Sequence, residues 1–186
     1  MPYASHPALY QVVAEDDGRI VGHAAAYTRD LTVPGAIVPA AHVTLADSIG
    51  KKTTFLRELT RVLGLEGVEV VTGRAEELGQ DKSRRERYDL ATARAVAALP
   101  VLCEYLLPLV KSGGMMVAPK KGDISLELQH AATASPILGG GPPETRAFNL
   151  PGETGERLVV LVPKVKRTPP GYPRRVGLAK SRPLGT

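Results

Sequence analysis

From residue 42 onward the hydrophobic pattern switches period again and again, and that alternation leaves few folds open. HVTLAD (42–47) is a short apolar strand ending on an acid. SIGKKTTFLRELTRVLGL follows, with Phe55, Leu56, Leu59, Val62 and Leu63 on one helical face. Asp47 or Ser48 is placed to cap that helix, and Gly64 lies where a left-handed cap is common. VEVV (68–71) is the next strand, and GRAEEL follows it. YDLATA (88–93) is a further strand, and ALPVLCEYLLPLV (98–110) reads as a helix with Pro100 in its first turn. A Lys-Ser-Gly-Gly turn leads into the strand MMVA (115–118), and ISLELQHAATA (124–134) reads as helical. RAFNL and RLVVLVPKV close the series as an antiparallel pair. Such alternation predicts βαβ units, an α/β fold with a parallel sheet, and ligands at the carboxyl ends of its strands.

The first forty residues have another rhythm. YQVVAE (10–15), the turn signal DDG and RIVGHAAAYTRDLTV (19–33) read as β structure, broken by Pro34-Gly35 and Pro39. This divides the chain into a β-rich segment at 1–41, an alternating core at 42–163 and a basic tail at 164–186. The tail holds seven of the 24 basic residues and no acid: Lys164, Lys166, Arg167, Arg174, Arg175, Lys180 and Arg182. The rest of the chain is close to neutral, so the tail suits a polyanion, or serves only to solubilise.

Candidate site residues sit where strands end. Asp47 is placed to accept ribose hydroxyls or to cap a helix. In Ala75-Glu76 the short side chain admits an adenine ring, and the acid holds a ligand or caps a helix. Arg94 follows YDLATA directly. A guanidinium there must meet solvent, an acid or a ligand, because burying it unpaired is costly. Lys120 and Lys121 follow MMVAP and face either an RNA phosphate or water. Cys103 lies within an apolar stripe, which reads as packing. The four histidines lack metal-like spacing, and no P-loop, GxSxG or CxxC occurs. No catalytic residue and no metal site is assigned. No apolar run approaches the ~18–20 residues of a membrane span. MPYASHPALYQ lacks the features of a signal peptide, and one cysteine permits no internal disulfide. A cytoplasmic monomer is expected.

The string HVTLADSIGKKTTFLREL…LGLEGVEVVTGRAEEL…YDLATARAVAALPVL…KKG resembles the glucose-inhibited-division B family, the 16S rRNA guanine-N7 methyltransferases. The ending TPPGYPRRVGLAKSRPL resembles that family's TPxxYPRxxGxPxKxPL. The resemblance covers about 42–186. It implies a Rossmann-like class I fold, S-adenosylmethionine as cofactor and small-subunit rRNA as partner. It places Ala75-Glu76 at the adenosyl part, Asp47 near the ribose and Arg94 at the cofactor site. It matches Lys120 or Lys121 to the lysine of an ALKG segment, which here reads APKKG, and it leaves the basic tail residues to RNA phosphate.

That family opens its cofactor site with a first strand and a glycine-rich loop, for which 1–186 has no counterpart ahead of HVTLAD. Instead, residues 10–44 resemble early strands of GCN5-related acetyltransferases. The two resemblances meet within PAAHVTL, which reads as a junction of two fragments, the alternative being a divergent methyltransferase whose amino-terminal part was rebuilt. The alternatives to methyl transfer are a non-catalytic RNA-binding fragment and an N-acetyltransferase. The missing pyrophosphate loop counts against the acetyltransferase.

Overall fold

The structure, a computed structural model, describes residues 42–148 and 157–186 and the backbone of four earlier strands. These are β1 (Tyr10–Asp16), β2 (Arg19–Ala26), β3 (Asp30–Val33) and β4 (Ala36–Pro39). β1 pairs with β2 and β3 with β4, both antiparallel. The β character expected there is present, with 19–33 divided between two strands. Part of the DDG turn lies outside the described residues.

The chain divides into two compact units. One comprises residues 1–45 and 54–71, the other 46–53 and 72–186. β5 (Val43–Asp47) and β6 (Val68–Thr72) form a two-stranded sheet. The Val43 N–H donates to Gly67 O and the Gly73 N–H to Asp47 O, so the two strands advance together. Between them runs α1 (Gly50–Val62), which ends at Gly64 with a φ of +61°. The apolar face expected on α1 forms, but it is not buried. Phe55 is 40% and Val62 65% exposed, and Thr53 is the helix's buried residue. Two strands spaced ~5 Å apart are too narrow to cover so broad a stripe.

The larger unit holds a four-stranded sheet in the order β7-β8-β10-β9. β7 (Tyr88–Thr92) runs parallel to β8 (Val110–Lys121), with Tyr88 opposite Val110 and Thr92 opposite Val117. β10 (Arg157–Pro163) is antiparallel to β8 and to β9 (Glu144–Phe148). The late antiparallel pair is therefore as expected. Among the described strands none pairs with the outer edge of β7.

Three longer or shorter helices pack around this sheet: α2 (Ala75–Gln80), α3 (Leu99–Leu106) and α4 (Ser125–Ile137). Pro100 lies in the first turn of α3, where no N–H is needed. The core joins Leu99, Leu102, Cys103 and Leu107 to Met116 and Ala118 of β8 and Val160 and Val162 of β10. Cys103 is fully buried, and burial pushes its thiol up to about 12, so it packs and does not react.

The segment 164–186 is not a free tail. Thr168 and Ala179 are buried, and the short helix α5 (Leu178–Ser181) touches α3. Pro173 lies so close to Gly79 that a Cβ there would meet its Cγ at 2.5 Å. The Arg174 guanidinium grips the buried Glu104 carboxylate, with Nη2 2.6 Å from Oε2 and Nε 2.9 Å from Oε1. The Arg174 backbone N–H also donates to Oε1 at 2.8 Å. Removing one member of a buried pair leaves an uncompensated charge. Glu104→Gln is expected to lower unfolding stability by about 3 kcal/mol. Urea unfolding measures this, and a loss below ~1 kcal/mol would place the pair among weak surface bridges.

Candidate functional site

The carboxyl end of β7 is the best-placed locus. There the chain leaves the strand through Ala93 and Arg94 into Ala95, whose φ is +56°. A non-glycine residue in that region stores ~1–3 kcal/mol and persists only where its surroundings hold it. They do so here. Lys120 Nζ donates to Ala97 O at 2.9 Å and pairs with Glu127 Oε2 at 2.7 Å. The same oxygen accepts the Leu99 N–H at 2.8 Å, at the start of α3. Glu127 thus satisfies a helix-terminal N–H that has no intrahelical partner. The Arg94 side chain is exposed and has no hydrogen-bond or ion-pair partner among the described residues.

Ala75 and Glu76 open α2. The Glu76 carboxylate is buried and accepts the Gly177 N–H at 3.0 Å. Gly177 has a φ of +81°, which favours glycine at that point of the chain. Glu76 also bonds to Tyr105. Burial, and then the charge of Glu76, raise that phenol above its ordinary value. Asp47 Oδ1 accepts the Ile49 N–H at 2.8 Å, and Oδ2 lies 3.3 Å from Lys52 Nζ.

The basic candidates separate into two groups. Lys120 turns inward to hold the loop after Arg94, while Lys121 is exposed. Lys164 is fully buried. Its ammonium donates to Leu107 O at 2.5 Å and to Thr168 Oγ1, with Glu86 Oε1 at 3.6 Å. Burial pushes Lys164 down to about 8. Arg174 is held by Glu104. Lys120, Lys164 and Arg174 therefore serve the fold, and their charges are not free for a phosphate. Lys166, Arg167, Arg175, Lys180 and Arg182 are exposed.

The anchors of this arrangement escape a reading by strand ends. Arg85 donates to four carbonyls, Gly79, Tyr172, Thr168 and Pro169, at 2.8, 2.6, 2.8 and 3.0 Å. Glu86 accepts the Thr168 N–H at 2.7 Å and Arg167 Nε at 2.9 Å. In sequence, SRRERY looks like a solvated charge run. Glu104 did carry a signal, as the only charge within an apolar helical stripe.

Comparison with known proteins bears on this site. The family model for rRNA small subunit methyltransferase G matches residues 33–148.

The chain belongs to that family.

An acetyltransferase (GNAT) domain model matches residues 5–47, so the two matches overlap at 33–47, around the expected junction. A ribosomal RNA small subunit methyltransferase G from an Exiguobacterium species is 49% identical over 148 residues, 80% of this chain and 62% of the relative. The protein of that name from Lactobacillus delbrueckii subsp. bulgaricus is 49% identical over 146 residues, 78% of this chain and 61% of the relative. The chain thus spans less than two thirds of these relatives' length. Among solved structures, a methyltransferase from Pyrococcus furiosus superposes with a TM-score of 0.51 at 15% identity. The superposition covers 67% of this chain and 64% of that one. The fold is the Rossmann-like α/β fold of class I methyltransferases. No helix among the described residues is long and apolar enough to cross a membrane.

Burial works against the charge of Glu86, but Arg167, the Thr168 N–H and Lys164 outweigh it and hold Glu86 below its ordinary 4.5. A carboxylate held down in the folded state stabilises fully above its unfolded pKa, and that contribution is lost as pH falls through the folded value. Glu86→Gln is expected to reduce stability at neutral pH and to flatten the loss below about pH 4.5. Urea midpoints at pH 7 and at acid pH test this, and parallel losses in both proteins would refute it.

Proposed function

We propose that this chain is an S-adenosylmethionine-dependent methyltransferase forming 7-methylguanosine in 16S rRNA, acting as a monomer in the cytoplasm. Family membership supports the reading. The observation in the molecule that supports it most is the unpartnered Arg94 guanidinium on a strained, braced turn at the end of β7. A planar fork exposed there fits the carboxylate of an amino-acid-bearing cofactor. Ala75 fits the adenosyl part, because its small side chain leaves the backbone approachable. Asp47 and Glu76 already accept protein donors. Asp47 would exchange Lys52 for a ribose hydroxyl, and Glu76 would serve through whatever capacity Gly177 and Tyr105 leave it.

The cofactor, when bound, supplies an electrophilic methyl group. Guanine N7 has a lone pair and no proton to lose, so no general base is required. The protein's task is to align the two partners and to stabilise the relocating charge. Lys120 and Glu127 contribute by fixing the loop that carries Arg94. Of the basic residues singled out in the sequence, Lys121, Lys166, Arg167, Arg175, Lys180 and Arg182 are exposed and would meet RNA phosphate, which positions without specifying.

A second reading, RNA binding without methyl transfer, is favoured by one feature. Residues 1–42 of this sequence hold no glycine-rich loop of the kind that opens the cofactor site in the family it resembles.

Calorimetry with S-adenosylmethionine and tritium transfer to undermodified small-subunit RNA separate the readings. Arg94→Gln is expected to weaken cofactor binding by roughly 10- to 100-fold, as the loss of a charge-assisted hydrogen bond implies. Absence of cofactor binding and of transfer in the unsubstituted protein would reject the enzyme reading.

A further inference from the structure

At the opposite end of the parallel pair lies a cleft that the cofactor-side reading leaves unused. It is open to solvent, has a volume of about 510 Å³ and is lined by Lys82, Arg85, Glu86, Arg87, Ser112 and Arg167. The register fixes its place. Arg87 immediately precedes β7, and Ser112 lies near the start of β8. β10 runs antiparallel to β8, with Pro163 opposite Met115, so the chain leaving β10 towards Arg167 emerges at the same end. Arg94 lies beyond the other end of β7, roughly 20 Å away at ~3.3 Å per residue.

Four cations face one carboxylate in this cleft, and that carboxylate is already occupied. Glu86 is taken up by Arg167 Nε, the Thr168 N–H and the Lys164 ammonium. Arg85 is spent on its four carbonyls. Two of the remaining cations are uncommitted among the described residues, and the third is held by one edge only. Lys82 and Arg87 are exposed and have no hydrogen-bond or ion-pair partner among the described residues. Arg167 is held through Nε, its side chain is 87% exposed, and its terminal nitrogens have no hydrogen-bond or ion-pair partner among the described residues. A guanidinium fixed at one edge and open at the other is organised in advance for a phosphate. The backbone beneath is fixed too, since the Glu86 and Arg87 N–H groups donate to Pro108 O and Leu109 O at 2.9 and 3.0 Å.

We propose that Lys82, Arg87 and Arg167, with the Ser112 hydroxyl, form a phosphate-binding cleft for an RNA backbone at the amino-terminal end of the sheet. The cleft grips nucleotides remote from the one presented at the β7 carboxyl end. It holds the RNA in register there and reads no base. The identity of the polyanion rests on the proposed function, and the phosphate chemistry of the cleft does not.

The test is fluorescence anisotropy of a labelled 20-nucleotide oligouridylate titrated with the full chain at ~50–200 mM salt. Lys82→Gln/Arg87→Gln is the test variant, and Lys51→Gln, an exposed cation on α1, is the control. Both test positions are exposed and unpartnered, so their substitution should leave the thermal midpoint unchanged. For the test variant the slope of log affinity against log salt is expected to be shallower by about 1.4, that is ~0.7 per phosphate contact on a single strand. The control is expected to leave the slope unchanged, and Arg94→Gln likewise. A slope in the double variant equal to that of the unsubstituted protein would overturn the proposal. So would an unsubstituted protein that binds no oligouridylate. Cleft-dependent binding without methyl transfer removes the enzyme reading and leaves the cleft. Methyl transfer with an unchanged slope removes the cleft alone.

Discussion

A buried charge must find its partner, and in this chain that requirement fastens the last twenty-odd residues to the body. Glu104 sits in the middle of the most apolar helix, fully buried. Arg174 neutralises it from seventy residues away. Arg85 works in the other sense, as a half-buried donor fork that closes on carbonyls of the same C-terminal segment. Lys164 and Glu86 complete the arrangement. Each of these groups alone would be expensive to bury. Together they convert a basic, proline-rich stretch into a packed part of the fold.

The fastening reaches the functional edge. Gly177, set in place by the docked segment, donates to Glu76 at the start of α2. Lys120 and Glu127 brace the turn beyond β7, where Ala95 holds an unfavourable backbone angle next to Arg94. Arg94 is thereby presented with no partner among the described residues while its neighbours are held. The cations of the basic C-terminal segment have divided their work. Some are internal struts, and a smaller exposed set remains for a polyanion.

Much of this was legible in the sequence. Periodicity placed most strands and helices from 42 onward, because each element buries one face and the pattern records it. The Lys-Ser-Gly-Gly turn expected at 111–114 lies instead inside β8, the helix expected to run to 110 ends at Leu106, and α5 was not expected. The order and spacing of HVTLAD, GRAEEL and YDLATAR carried the family. Among the described strands none pairs with the outer edge of β7. Burial was less legible. The apolar face of α1 was readable as a helix face but not as an exposed one, since cover depends on how many strands lie beneath it. The basic tail read as free, since composition counts charges without showing which carboxylates they meet. SRRERY gave no hint that its second arginine and its glutamate hold a segment eighty residues on.

The sequence by itself determined the fold class, the family and the strand-end positions of Asp47, Glu76 and Arg94. Those depend on local periodicity and motif order, which are properties of neighbouring residues. Only the tertiary structure decided which charges are spent. Lys120, Lys164 and Arg174 turn inward, and Arg94 has no partner among the described residues. The physical reason is that a charge's role is set by its partner and its solvent exposure, and both come from residues far apart in the chain.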